Sequence, residues 1–264
     1  MTLTLPRHEL LEGSAHPQEL EAVIAAAEQG LRSWEPVWTD FMDGGLREEA
    51  EQRLATLAEL DLASWGGFPG AERRRLLLQR RETALAANAL PSGLLGLEIS
   101  GNFLFDQAER ADFRSGLLAA GASQGGLGDI WLRGDRGAQA IVTASQAASL
   151  DGLGASVRSV EVRLEVRPLE QLQLPAERQP RRFQTVEASL RLDAVASAGF
   201  GLARNRMVEK IRQGKVRLNW QPISSPSRLL QKGDRVQLEG RGELRLEAVE
   251  STKRERWRIA ILRC

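Results

Sequence analysis

Cations at helical spacing are the chemistry this sequence offers most plainly. Between Ser189 and Asp234 it reads SLRLDAVASAGFGLARNRMVEKIRQGKVRLNWQPISSPSRLLQKGD. Arg191, Arg204, Arg206, Lys210, Arg212, Lys215 and Arg217 fall within it, with Asn205 and Asn219 among them. Guanidinium and ammonium groups grouped in this way bind phosphate oxygens. Arg204 and Arg206 sit in the first turn of a predicted helix, where the backbone dipole favours Asp or Glu instead. A helix carrying cations there presents them, and its own first amides, to an anion.

Two further basic runs are weaker candidates. Arg73, Arg74 and Arg75 follow the glycine-rich stretch Trp65-Gly66-Gly67-Phe68-Pro69-Gly70. Three consecutive arginines point in different directions, so some are expected to be free for phosphate; the alternative is a surface loop with a structural ion pair through Glu72. Lys253 and Arg254 sit in a basic turn near the C-terminus, with Arg256 and Arg258 beyond. They extend the basic surface or form a solvated hairpin tip.

Other chemistry is scarce. The only histidines are His8 and His16, and Cys264 is the single cysteine. No disulfide framework or cysteine-based zinc site can be built from that set, and the pattern fits a reducing compartment. No nucleophile–base pair or metal-ligand spacing is apparent, and no cofactor is expected. Asp129 is the one candidate acid; a turn aspartate capping nearby amides is the competing reading. Gly121 to Gly128 (GASQGGLG) follows a predicted helix and precedes a strand, the reverse of a phosphate-cradling loop. No apolar run reaches the length of a membrane span, and no basic-then-apolar leader is visible in MTLTLPRHELLEG. A cytoplasmic protein, monomeric, is expected.

The elements that must position the basic residues follow from periodicity. In the C-terminal stretch, Leu190, Val195 and Ala198 give one short amphipathic helix, and Ala203, Met207, Val208 and Ile211 the next. Gly199-Phe200-Gly201 separates them, Gly214 stops the second, and Lys215 to Leu218 alternates as a strand. Asn219-Trp220 and Lys232-Gly233-Asp234 read as turns, followed by the strand Arg235–Leu238. Pro17 to Leu31 and Leu46 to Leu60 read as helices, with Trp34, Trp38, Phe41 and Trp65 expected to knit a small core. From Gly93 to about Pro168 the order strand, helix, strand, strand, helix, strand is the ferredoxin-like βαββαβ pattern. Gln139-Ala140-Ile141-Val142 offers no aromatic for base stacking. Leu169 to Pro180 reads as a linker.

Charge divides the chain at that linker. Residues 181–264 hold 19 Lys/Arg against 9 Asp/Glu, and residues 1–180 hold 17 against 26. A basic module on an acidic body is what a localised nucleic-acid surface produces. The expected fold class is therefore α+β with three small domains. These are a helical/mixed domain at 1–90, a ferredoxin-like domain at 91–170 and a basic αα-β domain at 181–264.

The C-terminal stretch resembles the S-four-type RNA-binding domain. The matching residues are Arg191-Leu192-Asp193, Gly199-Phe200, Arg204-Asn205, Ile211, Gly214-Lys215-Val216, Leu218-Asn219 and Gly233-Asp234. One position departs: Ala203 stands where the family has Ser or Thr, which removes an N-cap at a cost of about 1 kcal/mol. With GGFPGAERRR ahead of Gly128-Asp129-Ile130, and Leu218-Asn219-Trp220 and Thr252-Lys253-Arg254 behind, the whole chain looks like the YlmH family. The resemblance extends to the family's cyanobacterial and plastid branch, named the photosystem II S-four domain protein. The resemblance implies a non-catalytic RNA-binding factor on the ribosome's large subunit, contacting ribosomal RNA and tRNA. It also implies roles in nascent-chain rescue, cell division or photosystem II biogenesis, and a stromal location in a plastid. Gln124-Gly125-Gly126-Leu127 replaces an arginine common in the family, so no RNA contact is expected there. S-four-type domains also occur on RNA-modifying enzymes, which keeps that reading open. A protein–protein adaptor using the acidic half is the other.

Overall fold

The computed structural model describes residues 4–86, 92–177, 179–253 and 255–264. The chain forms two compact units, Met1–Ala176 and Glu177–Cys264.

The first unit begins with α1 (Arg7–Leu11) and α2 (Pro17–Ser33), then β1 (Val37–Trp38), α3 (Gly44–Leu54), β2 (Leu60–Trp65) and β3 (Arg75–Arg80). Pro17 opens α2, where a missing N–H costs nothing. Leu20, Val23, Ile24, Ala27 and Leu31 form its buried stripe over the antiparallel sheet β1-β3-β2. The buried carboxylate of Glu28 on α2 accepts from the Arg7 Nε at 3.0 Å and Nη2 at 2.6 Å, which ties α1 down. The second helix is shorter than its periodicity implies. Asp43 caps the Leu46 amide and starts it at Gly44, and Leu60 and Leu62 instead pair with Arg80 and Leu78 in the sheet. Of the expected aromatic core, Phe41 is buried with Trp65 packed on the same cluster, but Trp34 is not part of it. Trp34 is left-handed and 56% exposed, with the Arg80 guanidinium 3.8 Å above its ring.

Next come β4 (Leu94–Ser100), α4 (Arg110–Ala119), β5 (Leu127–Leu132), β6 (Gly137–Thr143), α5 (Ala144–Leu150), β7 (Gly154–Val157) and β8 (Val160–Arg167). The antiparallel order β5-β6-β4-β8-β7 is the ferredoxin-like arrangement with β7 added at one edge. α4 starts later than the sequence implies because Glu109 and Asp112 form a reciprocal capping box, while Asp106 binds Arg158 and Ser159. Phe113, Leu117, Ala147 and Leu150 from the helices pack on Leu97, Ile99, Ala140 and Val142 of the sheet.

The opposite face of that sheet is covered by chain from before and after it. Phe41, Phe68 and Ala71 join Trp131, Ile141, Leu94 and Leu172 in one buried cluster. The boundary expected near residue 90 therefore separates two sheets within one unit. Leu172 lies where Gly96 leaves room, since a Cβ there would come within 2.6 Å of it. The Trp131 Nε1 donates to the Gln173 carbonyl at 2.9 Å. The first part of the expected linker, through Gln173, is thus docked.

The second unit comprises β9 (Arg181–Glu187), α6 (Leu192–Phe200), α7 (Arg204–Arg212), β10 (Val216–Leu218), β11 (Gln221–Pro222), β12 (Arg235–Leu238), β13 (Gly242–Ser251) and β14 (Trp257–Arg263). Its six strands run β11-β10-β12-β13-β14-β9, all antiparallel. Leu192, Val195, Phe200, Met207 and Ile211 pack both helices onto one face, against Val216, Val236, Leu244, Leu246, Ile259 and Ile261. Each such side chain contributes about 1.5–3 kcal/mol by leaving water. Gly199 permits the closest approach: a Cβ would lie 2.3 Å from the Leu244 Cδ1. Gly201 and Gly214 end the helices with φ of +66° and +72°, a conformation L side chains rarely adopt.

Candidate RNA-binding surface

The first turns of α6 and α7 meet at one carboxylate. Asp193 is buried, and its two oxygens accept four charged hydrogen bonds. Arg191 donates from Nε and Nη2, both at 3.0 Å, and Arg204 from Nε at 3.2 Å and Nη2 at 3.1 Å. Burial opposes ionisation of Asp193, but the bonds from Arg191 and Arg204 outweigh it and hold the carboxyl below the usual range. Asp193 also supplies the negative charge that the first turn of α7 lacks. Ala203 at its N-cap offers no side-chain acceptor, and no acidic residue lies in that turn. The cluster keeps a net positive charge. Among the described residues, Nη1 of each guanidinium has no partner.

The cations of α7 occupy two flanks. At about 100° per residue, Arg206 and Lys210 share one side, while Arg204, Val208 and Arg212 run along the other. The single basic ledge implied by the sequence is therefore divided. Among the described residues, Arg206, Lys210 and Arg212 have no carboxylate partner. Arg206 and Arg212 are exposed, Lys210 half-buried. Asn205 turns its Oδ1 to the Arg206 amide at 2.8 Å.

Beyond α7 the predicted residues take different roles. Asn219 and Trp220 form a two-residue hairpin turn between β10 and β11, with φ of +49° and +69°. The Asn219 side chain donates to Asp234 Oδ1 at 2.9 Å and accepts from the Arg235 N–H at 2.9 Å, so it ties the turn to β12. Arg217 lies between buried Val216 and Leu218, which puts it on the sheet face away from the helices. Lys215 is half-buried just after α7 and has an interaction partner of its own. Lys253 is exposed at the β13–β14 hairpin. Arg254 lies outside the described residues.

Residues 190–236, which hold both helices and the Asn219 lock, match the S4 domain family. Residues 15–83 match the family described as YlmH, N-terminal. The match to the YlmH N-terminal family thus lies ahead of the match to the S4 domain family in one chain. Ribosome-associated protein quality control protein P2 of Bacillus subtilis (strain 168) is 28% identical over 227 residues, covering 85% of this chain and 86% of its own. Among solved structures, the cell division protein ylmH from Streptococcus pneumoniae overlaps 59% of this chain and 93% of its own. It does so at 19% identity and a TM-score of 0.46, too low to establish a shared fold.

The arginine run near the end of the 15–83 match is bonded within the chain. Arg73 donates to the carbonyls of Leu127, Phe41 and Gln124 at 2.9–3.0 Å. Arg74 donates to those of Ala71 and Pro69. Arg75 donates to those of Thr39 and Ser92 and lies 5.6 Å from the Trp38 ring centroid. Burial lowers the guanidinium pKa of Arg74 and Arg75. These side chains satisfy carbonyls that loop geometry leaves without strand partners. Asp129 does the complementary work, accepting the amides of Glu72 at 2.7 Å and Arg73 at 2.9 Å. Burial pushes its carboxyl up, against those two bonds, and both oxygens are occupied by the loop.

Asp193 and Asp234 organise the segment 190–236, yet the sequence reading treated neither as functional. A clue was available for Asp193: an acid two residues after Arg191, ahead of a helix whose first turn carries only cations.

Proposed function

We propose that this protein binds structured RNA through the helical layer of its S4 domain and does no catalysis. The observation that carries the reading is a preset cationic corner. Arg191 and Arg204 are held rigid on Asp193, beside a helix whose Arg206, Lys210 and Arg212 have no carboxylate partner among the described residues. Guanidinium groups fixed in advance lose little side-chain entropy on meeting phosphate. Phosphate contacts supply affinity and register, and shape matching to a folded RNA supplies selectivity.

The B. subtilis relative is named as a ribosome-associated protein of quality control, which supports ribosomal RNA as the RNA and ribosome quality control as the setting; tRNA and the large subunit rest on sequence resemblance. A cytoplasmic monomer, or a stromal one in a plastid, fits the same reading. A photosystem II role rests on sequence resemblance alone. The enzyme alternative is weakened by Asp129, whose oxygens hold the Glu72 and Arg73 amides. No helix among the described residues is long and apolar enough to cross a membrane.

Crosslinking the protein in cells and sequencing the attached RNA tests the reading. Enrichment of large-subunit ribosomal RNA and tRNA over messenger RNA is expected. Recovery no better than an uncrosslinked control contradicts it.

A further inference from the structure

The sheet of the C-terminal unit carries a second group of cations, on the side away from α6 and α7. Strand alternation fixes that side. Ile259 and Ile261 are buried against the helices, so Arg258, Ala260 and Leu262 point outward. Val186 of β9 stands opposite Arg258, which in turn stands opposite Glu250 of β13. Where β13 turns into β14, Val186, Glu250 and Arg258 border a shallow depression of about 690 Å³, together with Ser251, Lys253 and Arg256. The Thr252 Oγ1 accepts the Arg256 amide at 3.2 Å and shapes the hairpin tip.

The charge in this depression is unbalanced. Among the described residues, Lys253, Arg256 and Arg258 form no ion pair, and Glu250 is the one carboxylate on the wall. On the same face Arg182 pairs with Glu247 and Arg235 with Glu243, while Arg217 and Arg245 have no ion pair among the described residues. Like charges gathered around a concave surface raise the local potential and concentrate anions. The floor is apolar as well. Val186, next to the end of the edge strand β9, is 48% exposed.

We propose that this depression binds a ribonucleotide of single-stranded RNA. Lys253, Arg256 and Arg258 take its phosphates, and Val186 lies under the sugar and base. Every strand that forms it, β9, β13 and β14, lies outside the span that matches the S4 domain, residues 190–236. The inference rests on the RNA-binding reading above but concerns the opposite side of the sheet from α7.

The test uses the full chain and a twelve-nucleotide oligouridylate containing 4-thiouridine. Photocrosslinks are mapped to peptides, and affinity is followed across salt. Two variants are compared: Lys253→Gln with Arg258→Gln, and Arg206→Gln with Lys210→Gln. The hairpin pair is expected to bind about tenfold more weakly at low salt, with a salt slope smaller by about 1.4, at roughly 0.7 per phosphate lost from a single strand. Crosslinks at Val186 or Ser251 are expected in the protein and in the α7 pair, and Lys253→Arg is expected to retain binding. An unchanged thermal midpoint shows that the variants fold. Wild-type binding by the hairpin pair, with binding lost in the α7 pair, overturns this site and leaves the S4 reading standing. Loss of binding in the hairpin pair alone, with the α7 pair unchanged, supports this site and counts against the helical surface. Binding of a poly-aspartate peptide in place of oligouridylate overturns the RNA assignment.

Discussion

Asp193 and Arg204 are joined across the α6–α7 turn by two hydrogen bonds of 3.1 and 3.2 Å. The contact sets the angle between the helices and aims a cation outward from the start of α7. Arg191 closes the same carboxylate from the other side. Part of the basic surface is thus a structural clamp, which changes what mutations there will do.

Asp193→Ala should destabilise the C-terminal unit by about 1–3 kcal/mol, the range for charged hydrogen bonds left without a partner. Arg206→Ala, an exposed side chain without a carboxylate partner, should stay within about 0.5 kcal/mol of the parent. Urea unfolding of the two variants checks both. Equal midpoints would mean that the clamp contributes nothing.

The pH dependence follows from the sign of the Asp193 shift. Its carboxyl is held below the usual range in the folded state. Its stabilisation is therefore fully present above the unfolded value of about 3.9 and is lost as pH falls through the lower folded value. The stability advantage of the parent over Asp193→Asn should be constant at pH 6 to 7 and shrink below about pH 4. An advantage that grows on acidification would contradict the assignment.

Gly199→Ala places a methyl group 2.3 Å from the Leu244 Cδ1. Leu244 is fully buried, so its side chain must repack at a cost of about 1–3 kcal/mol. Thermal unfolding should show the loss. Gly214→Ala meets no neighbour within 4 Å and is strained only by its φ of +72°, so it should cost about 1 kcal/mol.

Arg75→Ala separates staple from ligand contact. It should lower the stability of the first unit, because the Thr39 and Ser92 carbonyls lose their donor. RNA affinity should remain at the parent value. A drop in affinity without loss of stability would return Arg75 to the list of RNA contacts.

Much of the fold was legible because periodicity reports burial. The stripe Leu20, Val23, Ile24, Ala27, Leu31 located α2, and the strand–helix order located the ferredoxin-like sheet. Gly214 and the Asn219-Trp220 pair marked a helix end and a hairpin by backbone geometry alone. What stayed hidden was long-range. The Arg73 bonds reach the Leu127 and Phe41 carbonyls, and nothing local names those acceptors. Strand β9 was not predicted because Arg181, Arg182, Gln184 and Glu187 mask an alternation whose inward residues, Phe183 and Thr185, are only half-buried. In the site, residue types were visible but sides were not. Arg217 and Arg206 are near in sequence, and the pleat of β10 sends Arg217 to the far face.

The central claim is that cations on α7 touch RNA phosphate. It is tested most directly by titrating salt against the binding of a folded tRNA transcript to the full chain, with and without Arg206→Gln and Lys210→Gln. Each phosphate contact to a duplex adds about 0.9 to the slope of log affinity against log salt. The slope should become shallower by about 1.8 in the double variant while the fold is kept. An unchanged slope would show that these side chains do not meet phosphate, and the helical surface would have to be abandoned as the RNA contact.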